Sequence, residues 1–462
     1  MHEDLANRAL SVASKLGVSF AELRLEDTAR ELIVYVNGRV VSQSYQRLKG
    51  AGVRVLVNGN FGFASTHNLS VEGLTSAVEE AVKAARAIGE GGKKISGEVK
   101  SGSYLISSAL KHPSKVSVEE KLDLVKRTHD TARSGGAASV TVRFGAYYGS
   151  IELYTSEGVK VTSERLVTGL SASAVLRDGG SIGDGFETYG TSRGVEAYKG
   201  ENAPEAIAER ALSMARDSLK AKRPPAGELT VITRPDLTGV FAHESFGHLT
   251  EGEGIYTGVS PLAGRFGEKI ASDAVTIVDA GIDERGGIFF PVDDEGIPTT
   301  RVTLVEKGLL KGYLHSRETA ALLGMEPTGN GRAQDFYHEP IVRMRNTFFE
   351  AGDWSEEEII RDTKFGLLLD KPRGGQVEED GTFTFNASIG YLIENGEIKE
   401  PVKDVVLAGN ILEMLKHVNA VSKTVSISTS PFGGCGKMGQ MVHVGDGGPT
   451  LRTKLLVGGE TK

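Results

Sequence analysis

The sequence carries two histidines and a glutamate in the segment His243-Glu244-Ser245-Phe246-Gly247-His248, which lies inside an apolar stretch from Leu237 to Leu249. Two imidazoles can hold a metal ion, and a glutamate beside them can act as a base toward a water molecule on that ion. Such a set is the core of a hydrolytic zinc site. The spacing is one residue longer than the H-E-x-x-H motif of ordinary zinc proteases, so the backbone must accommodate an extra residue.

A regular α-helix would direct the two histidines apart. Residues five apart are separated by about 140° around the helix axis, against about 40° for residues four apart. One extra residue in a π-type turn would realign them, and Gly247 lowers the cost of local rewinding. We therefore predict a π-turn or an early helix break at 245–249. The alternative is that His243 and His248 are satisfied polar groups at a helix end and that Glu244 is solvated.

A catalytic zinc usually has three protein ligands and one open position. Cys435 is a candidate for the third ligand, because it lies among glycines that allow close backbone approach and because Lys437 favours its thiolate form. A free cysteine is also common as a small buried hydrophobe. Glu251 and Glu253 are rival ligands, since the chain reaches them directly after the second histidine.

Composition indicates an ordinary soluble protein of several domains. The chain has 462 residues, 39% hydrophobic and 25% charged, with a formal net charge of −8. The negative charge disfavours a nucleic-acid partner, and no apolar run is long enough for a transmembrane helix. The N-terminus lacks the pattern of a signal peptide. The single cysteine cannot form an internal disulfide, so we expect a cytoplasmic protein.

The first half contains the pattern of one α+β unit twice, in residues 1–100 and again in residues 113–222. Each unit has an N-terminal helical pattern, four alternating strand-like runs and a closing helical pattern. Asn37-Gly38 and Glu157-Gly158 occupy matching hairpin positions. The alternative is a chance resemblance of two amphipathic patterns. The strand-like runs lie at 20–25, 31–36, 39–44 and 51–57 in the first unit and at 140–144, 150–155, 159–163 and 168–177 in the second.

Two linkers and a glycine-rich second half complete the domain organisation. Residues 89–102 are rich in Gly, Lys and Ser and are predicted to be mobile, whereas 221–227 contain two prolines and mark a stiffer boundary. Beyond it, alternating runs and turn glycines predict a mainly antiparallel β domain over 226–462 that carries the metal-binding helix near its start. The predicted fold class is therefore α+β.

Two further motifs are formal matches without the required context. Gly434-x-Gly436-x-x-Gly439 fits the dinucleotide fingerprint, but no amphipathic helix follows and Gly445 to Pro449 has the composition of a turn. Residues 190–194 fit G-x-S-x-G but are predicted to be loop. His315 and His443 lie in strand-like surroundings, where we expect surface or satisfied histidines.

The motifs of the second half, taken together, closely resemble the TldD branch of the TldD/PmbA metalloprotease family. The resemblance is dense from about residue 235 onward and diffuse in the first 220 residues. The segments that carry it are the H-E-x-x-G-H segment, Val292-Asp293-Asp294-Glu295-Gly296, Pro327-Thr328-Gly329-Asn330-Gly331, Gly374-Gly375-Gln376-Val377, Tyr391-Leu392-Ile393-Glu394-Asn395-Gly396 and Cys435-Gly436-Lys437.

The resemblance implies a zinc-dependent protease that cleaves unfolded or extended peptides. In that family two histidines and a cysteine bind one zinc ion, roles that fall here on His243, His248 and Cys435, and the catalytic acid/base falls on Glu244. It also implies a cytoplasmic dimer, either with a TldE/PmbA-type partner that lacks the metal motif or of two copies. An older family label, modulator of DNA gyrase, does not require DNA binding.

His338 falls where the family usually has a histidine, close in sequence to Arg343. These two residues are candidates for binding the substrate backbone or stabilising an oxyanion, with a structural role as the alternative. The acidic residue that usually follows the second histidine corresponds to Glu251, whose contact with the metal stays open.

Two other functions compete with the zinc protease. A non-catalytic peptide-binding partner would not need the His-Glu-His set together with Cys435. A cysteine hydrolase would use Cys435 with a histidine. Metal dependence distinguishes the zinc enzyme from both.

Overall fold

The computed structural model describes residues 2–106 and 109–459. The first unit consists of α1 (His2–Lys15), β1 (Phe20–Val36), β2 (Arg39–Val57), β3 (Asn60–Thr66) and α2 (Val71–Ile88), followed by a short β4 (Gly102–Tyr104). The second unit repeats the order with α3 (Val118–Ser134), β5 (Ser139–Thr155), β6 (Lys160–Asp178), β7 (Ser181–Thr191) and α4 (Pro204–Lys220). The duplicated α+β pattern is therefore confirmed.

The strands are longer than the alternating runs predicted. Each predicted pair of runs, such as 20–25 with 31–36 or 140–144 with 150–155, is one continuous strand. In β1 the alternation fails between the two runs because the charged Glu26 is buried there, at 2% exposure. The hairpin prediction holds at Asn37 and Gly38, which turn with φ of 46° and 87°. The asparagine and glycine tolerate this left-handed conformation.

The two units share one sheet. Among the described residues it runs in the order β3-β2-β1-β5-β6-β4, with β7 also paired to β6. The units meet where β1 and β5 pair antiparallel, for example at Thr28 and Gly149. The helices cover one face: alternate residues such as Leu23 and Val53 pack against α1 and α2 in one apolar cluster. The opposite face is turned toward the C-terminal domain.

The C-terminal domain is mainly antiparallel, as predicted. Its larger sheet runs β11-β10-β9-β14-β21-β17-β16-β15-β8, and an additional β21–β8 pairing closes five of these strands into a ring. Two pairs, β14–β21 and β15–β8, are parallel. The strands are β8 (Gly227–Thr233), β9 (Ile277–Ala280), β10 (Arg301–Glu306), β11 (Leu309–Leu310), β12 (Gly331–Arg332), β13 (Ile341–Val342), β14 (Asn346–Phe349), β15 (Phe365–Val377), β16 (Thr382–Glu394), β17 (Glu397–Asn410), β18 (Ala420–Thr429), β19 (Cys435–Lys437), β20 (Gln440–Val442) and β21 (Gly445–Gly458).

Short helices lie between the strands of this domain along the chain. They are α5 (Pro235–Val240), α6 (Gly252–Thr257), α7 (Arg317–Leu323), α8 (Glu356–Arg361) and α9 (Ile411–Lys416). In the parts of the chain that the structure describes, no helix has the length and apolar character needed to cross a membrane. Residues 445–449, which have turn-like composition, instead begin β21, because glycines there let β14 and β18 pair closely on either side.

Buried ion pairs join the N-terminal sheet to the C-terminal domain. Arg54 on β2 contacts Glu22 at 2.9 Å and Glu295 at 2.6 Å, and all three side chains are at most 3% exposed. Arg165 on β6 contacts Asp294 at 2.8 Å. The acidic stretch 293–295 is therefore a docking element for the sheet. The linker 89–102, predicted to be mobile, is also held, since the Ser96 amide donates to a carbonyl in α7.

Replacing Arg54 by methionine is expected to destabilise the protein by about 3–5 kcal/mol, because two buried carboxylates lose their cation. The thermal unfolding midpoint should fall by several degrees. Arg47→Met is the matched control on the same strand. Its ion pair with Asp27 is largely solvent-exposed, so its midpoint should stay near that of the wild type. Equal midpoints for the two variants would contradict the buried role of Arg54.

Candidate functional site

The chain leaves α-helical geometry at the motif. After α5, residues Phe241–Phe246 form a π-turn and Gly247–Thr250 a 3-10 turn. The predicted π-turn is therefore present, but it begins four residues before the predicted 245–249. Residues five apart now share a side, as π geometry requires: Phe241 and Phe246 are both fully buried, and the His243 and His248 rings meet edge to face at 5.5 Å.

Gly247 allows close packing of the motif and is not needed for an unusual backbone conformation. Its φ of −57° is ordinary right-handed helix, which any residue adopts. A Cβ at this position would lie 2.0 Å from the Met344 sulfur. The glycine therefore lets the motif pack directly on the segment before β14.

His243, His248 and Cys435 converge. Their potential ligand atoms all lie within 4.8 Å of one another, and the Cys435 sulfur is 3.3 Å from His248 Nε2. His243 is 2% exposed, yet neither of its ring nitrogens has a hydrogen-bond partner among the described residues. A buried imidazole without partners is costly, and two nitrogens with one sulfur form a donor set that suits zinc with an open fourth position. The residues therefore fit a zinc ion.

The thiol of Cys435 is prepared for metal binding. Burial raises its pKa, but the neighbouring His243 and His248 outweigh burial and lower the pKa to about 5. A thiolate at neutral pH is the form that binds a metal. The two histidines beside the sulfur therefore favour a metal-ligand role for Cys435 over the alternative of a small buried hydrophobe.

Glu251 and Glu253 lie behind His248 and outside the three-residue group. The Glu251 carboxylate is 2.9 Å from His248 Nδ1 and 3.0 Å from Lys437 Nζ. Burial raises the pKa of Glu251, but His248 and Lys437 outweigh it and lower the pKa to about 2. The ionised carboxylate fixes the ring so that Nε2 faces Cys435, an arrangement that is typical of outer contacts to metal-bound histidines. Glu253 contacts Lys437 and the Val342 amide.

Glu244 stands between two cavities. Its side chain is 46% exposed and its Oε2 lies 3.8 Å from His248 Nε2. The wide cavity has a volume of about 540 Å³ and includes Glu244, His248, Glu253, Glu378, Glu379 and Lys437 in its wall. The narrow cavity, of about 320 Å³, includes Asp236, His243, Glu244, Lys371, Cys435 and Asp446. Both cavities border the convergent group, and Glu244 belongs to each.

Three glycines of the N-terminal sheet position the segment that leads to Cys435. Gly145, Gly169 and Gly190 pair with one another across β5, β6 and β7, and together they form a row without side chains. A Cβ would lie 2.7 Å from the Phe432 ring at Gly145, 2.4 Å from Pro431 at Gly169 and 2.1 Å from the Thr429 carbonyl oxygen at Gly190. Residues 429–432 therefore lie directly on the sheet. Gly190 and Thr191 are the last two residues of β7, and residues 192–194 of the match are loop as predicted.

The Cys435 hairpin is also held from the other side. Arg343 is fully buried and donates hydrogen bonds to the carbonyl oxygens of Cys435 and Gln440. His443 Nδ1 donates to the carbonyl oxygens of Ser430 and Gly433 at 3.1 and 3.2 Å. Arg343 thus contacts the backbone of a ligand loop, and the structure gives it no position in either cavity.

His338 is not brought to the convergent group. Its Nδ1 lies 2.7 Å from Asp335 and its carbonyl oxygen accepts from Arg24, and its described contacts do not include any of the three group members. His315 is 1% exposed, with its Nε2 lacking a partner among the described residues. His315 Nδ1 lies 3.3 Å from the Thr319 hydroxyl, so His315 is a buried, partly satisfied histidine and not a surface one. Burial lowers the pKa of His315 to about 4.

Asp446 is a site residue that sequence reasoning missed. Its carboxylate borders the narrow cavity beside His243 and Cys435. The available signal was a charged residue set among glycines, in Gly445-Asp446-Gly447-Gly448. This is the same pattern that drew attention to Cys435.

Comparisons with known proteins identify the family of the chain. Models of the PmbA/TldA metallopeptidase family match residues 21–85 (domain 1), 111–219 (central domain) and 226–459 (C-terminal domain). A metalloprotease of Methanothermobacter thermautotrophicus is 39% identical over 96% of each chain. A zinc metalloprotease TldD homologue of Saccharolobus solfataricus is 30% identical, covering 97% of this chain and 98% of its own.

Solved structures share the fold over the full length. A Thermotoga maritima protein described as a modulator of DNA gyrase matches with a TM-score of 0.82 at 26% identity, over 99% of this chain and 100% of its own. TldE of Thermococcus kodakarensis matches with a TM-score of 0.79 at 22% identity, over 99% and 100%. The second likeness concerns the fold alone.

Gly169→Ala is expected to weaken Zn²⁺ binding about tenfold or more, the range seen when outer contacts of metal ligands are lost. The new methyl group would push Pro431 from the sheet and shift Cys435. Competition with a chromogenic chelator measures the affinity. Gly180→Ala is the control, because a Cβ there meets nothing within 4 Å. Equal zinc affinity in both variants would show that the glycine row does not position the ligand.

Proposed function

Because the chain belongs to the PmbA/TldD metallopeptidase family, we propose that it is a zinc-dependent protease whose metal ligands are His243, His248 and Cys435. The observation that carries the proposal is the convergence of these three groups within 4.8 Å, with the buried His243 lacking any described protein partner. One zinc ion per catalytic chain would satisfy both His243 and the Cys435 thiolate.

Zinc in such a site supplies Lewis acidity, which polarises a peptide carbonyl and acidifies a water molecule. The other catalytic roles belong to residues of the chain. Glu244 accepts the proton of the attacking water on its carboxylate and returns it to the leaving amine. Its half-exposed position gives it the freedom to reach both. Glu251 keeps the His248 ring oriented, and Lys437 neutralises Glu251.

The substrate is an unfolded or extended peptide. The two cavities meet at Glu244, so a peptide that crosses from one cavity to the other has a backbone bond beside the acid/base. A folded domain cannot enter cavities of about 540 and 320 Å³. His338 lies outside both linings, so we do not include it in the peptide path. Arg343 acts by holding the Cys435 loop.

The working form is a cytoplasmic dimer, with a TldE/PmbA-type partner or with a second copy of this chain. A TldE protein of known structure has the same fold, which supports a partner built on the same plan. The single cysteine lies in the site, so stability does not depend on disulfides, as expected in a reducing compartment.

A cysteine hydrolase is the second candidate, and one observation favours it: the Cys435 sulfur lies 3.3 Å from a histidine nitrogen, as in a nucleophile–base pair. Two observations favour the metal. The sulfur belongs to a side chain that is 2% exposed, and a second histidine without partners lies beside it.

Glu244→Gln is expected to lower kcat/KM for an unstructured peptide by roughly 10²–10⁴-fold, the usual contribution of a general acid/base. Zinc content should stay at the wild-type level, because Glu244 is not a ligand. Glu413→Gln, on the exposed face of α9, is the matched control and should keep full activity. Zinc analysis of the same samples separates the two effects. Undiminished turnover would remove Glu244 from its role.

Cys435→Ser should lose most bound zinc and with it peptide cleavage. In the wild type, 1,10-phenanthroline should abolish cleavage and added Zn²⁺ should restore it, because the metal supplies the electrophile. Elemental analysis and a fluorogenic peptide assay provide the readouts. Cleavage that resists the chelator but is stopped by thiol alkylation would favour the cysteine hydrolase instead.

A further inference from the structure

Carboxylates outnumber cations in the walls of both cavities. The wide cavity has Glu251, Glu253, Glu378 and Glu379 against Lys437. In the narrow cavity Asp236 and Asp446 face Lys371. Glu244 adds a further negative charge to each. This surplus surrounds the bond that the proposed enzyme would cleave.

The cations in these walls are already occupied. Lys437 lies 3.0 Å from Glu251 and 3.0 Å from Glu253. Lys371 lies 2.5 Å from Asp236 and 3.0 Å from Glu187. Neither lysine is therefore available to neutralise the remaining carboxylates.

Asp446 is the unpaired carboxylate of the narrow cavity. It forms no hydrogen bond or ion pair through its side chain with any residue that the structure describes. Its backbone is fixed, because β21 pairs with β14 and β18 on either side. Gly239, in the helix before the π-turn, also packs on it: a Cβ at Gly239 would lie 2.5 Å from the Gly447 nitrogen. The charge is therefore held beside His243.

Glu378 and Glu379 are exposed carboxylates in the wall of the wide cavity, and neither forms an ion pair with a residue that the structure describes. They occupy the turn between β15 and β16, which closes through hydrogen bonds from the Glu378 amide to Thr382 and from the Gly381 amide to Glu378. Gly381 packs on Leu249, where a Cβ would lie 3.1 Å away. Leu249 directly follows His248, so the acidic turn is anchored to the ligand segment.

We propose that the substrate is a cationic peptide, with Asp446 binding positive charge on one side of the scissile bond and the 378–379 turn binding it on the other. This inference rests on the proposed protease function. Carboxylates that line a cleft attract a cation and repel an acidic peptide, so they select by both attraction and repulsion. The cation is a lysine or arginine side chain or the N-terminal ammonium group of the peptide.

The test uses fluorogenic peptides of one sequence, with lysine, norleucine or glutamate at the positions that flank the scissile bond. Each peptide is made with a free and with an acetylated N-terminus. We expect kcat/KM to be about tenfold higher for lysine than for norleucine and lowest for glutamate, with the advantage shrinking at high salt. A fall in kcat/KM for all three peptides on acetylation assigns the cation to the N-terminus, whereas a lysine advantage that survives acetylation assigns it to the side chain.

Asp446→Asn should lower the ratio of kcat/KM for the lysine peptide to kcat/KM for the norleucine peptide, whatever its effect on the norleucine rate itself. Asp4→Asn, on the exposed face of α1, is the control and should keep the full advantage. Binding of the same peptides to Glu244→Gln, followed by fluorescence anisotropy, provides a second measurement that needs no turnover. Equal rates and equal affinities for all three peptides that are also unchanged by acetylation would overturn this proposal, whereas cleavage of none of them would contradict the protease function itself.

Discussion

The site depends on bringing Cys435 to within 3.3 Å of His248, a residue 187 positions earlier in the chain. Closing such a loop carries an entropic cost, and a lone hairpin such as β19–β20 is marginally stable. The protein meets this requirement with contacts to backbone. Arg343 and His443 hold carbonyl oxygens of the ligand loop, and the glycine row of the N-terminal sheet supports the segment before it.

The N-terminal half therefore belongs to the site although it supplies no ligand. One face of its sheet packs on the helices, and the other face packs on the C-terminal domain. Buried pairs such as Arg54 with Glu295 fix how the two parts meet. A buried pair adds little net stability compared with an apolar contact, but it permits only one relative position. Such precision matters where the glycine row must meet residues 429–432 at close contact.

Charge is distributed in opposite ways at the interface and at the site. At the interface, the carboxylates of Asp294 and Glu295 meet Arg165 and Arg54 from the sheet. Around Glu244, carboxylates such as Asp446 have no side-chain partner among the described residues, while Lys371 and Lys437 are engaged elsewhere. An unpaired carboxylate at a cavity wall costs stability. Functional sites are where proteins usually keep such unfavourable groups.

The sequence by itself determined the class of fold and singled out the residues that could carry the chemistry. The histidines and glutamate of 243–248 are five residues apart at most, so their relation is local and the need for a π-turn can be derived from helix geometry. The repeated alternation of the two units and the turn at Asn37-Gly38 are local signals of the same kind. They indicated the α+β pattern, although buried charges such as Glu26 hid the full length of the strands.

Only the tertiary structure decided how distant parts combine. The start of the π-turn at Phe241, the position of Glu251 behind His248, the separation of His338 from the site and the place of Asp446 all depend on contacts between residues far apart in the chain. The spacing of two residues far apart in the sequence does not predict the distance between them in space. That distance is set by how whole sheets pack. From the sequence alone, these glycines could equally have been turn residues. The register of β5, β6 and β7 is what makes Gly145, Gly169 and Gly190 a support for the metal-ligand loop.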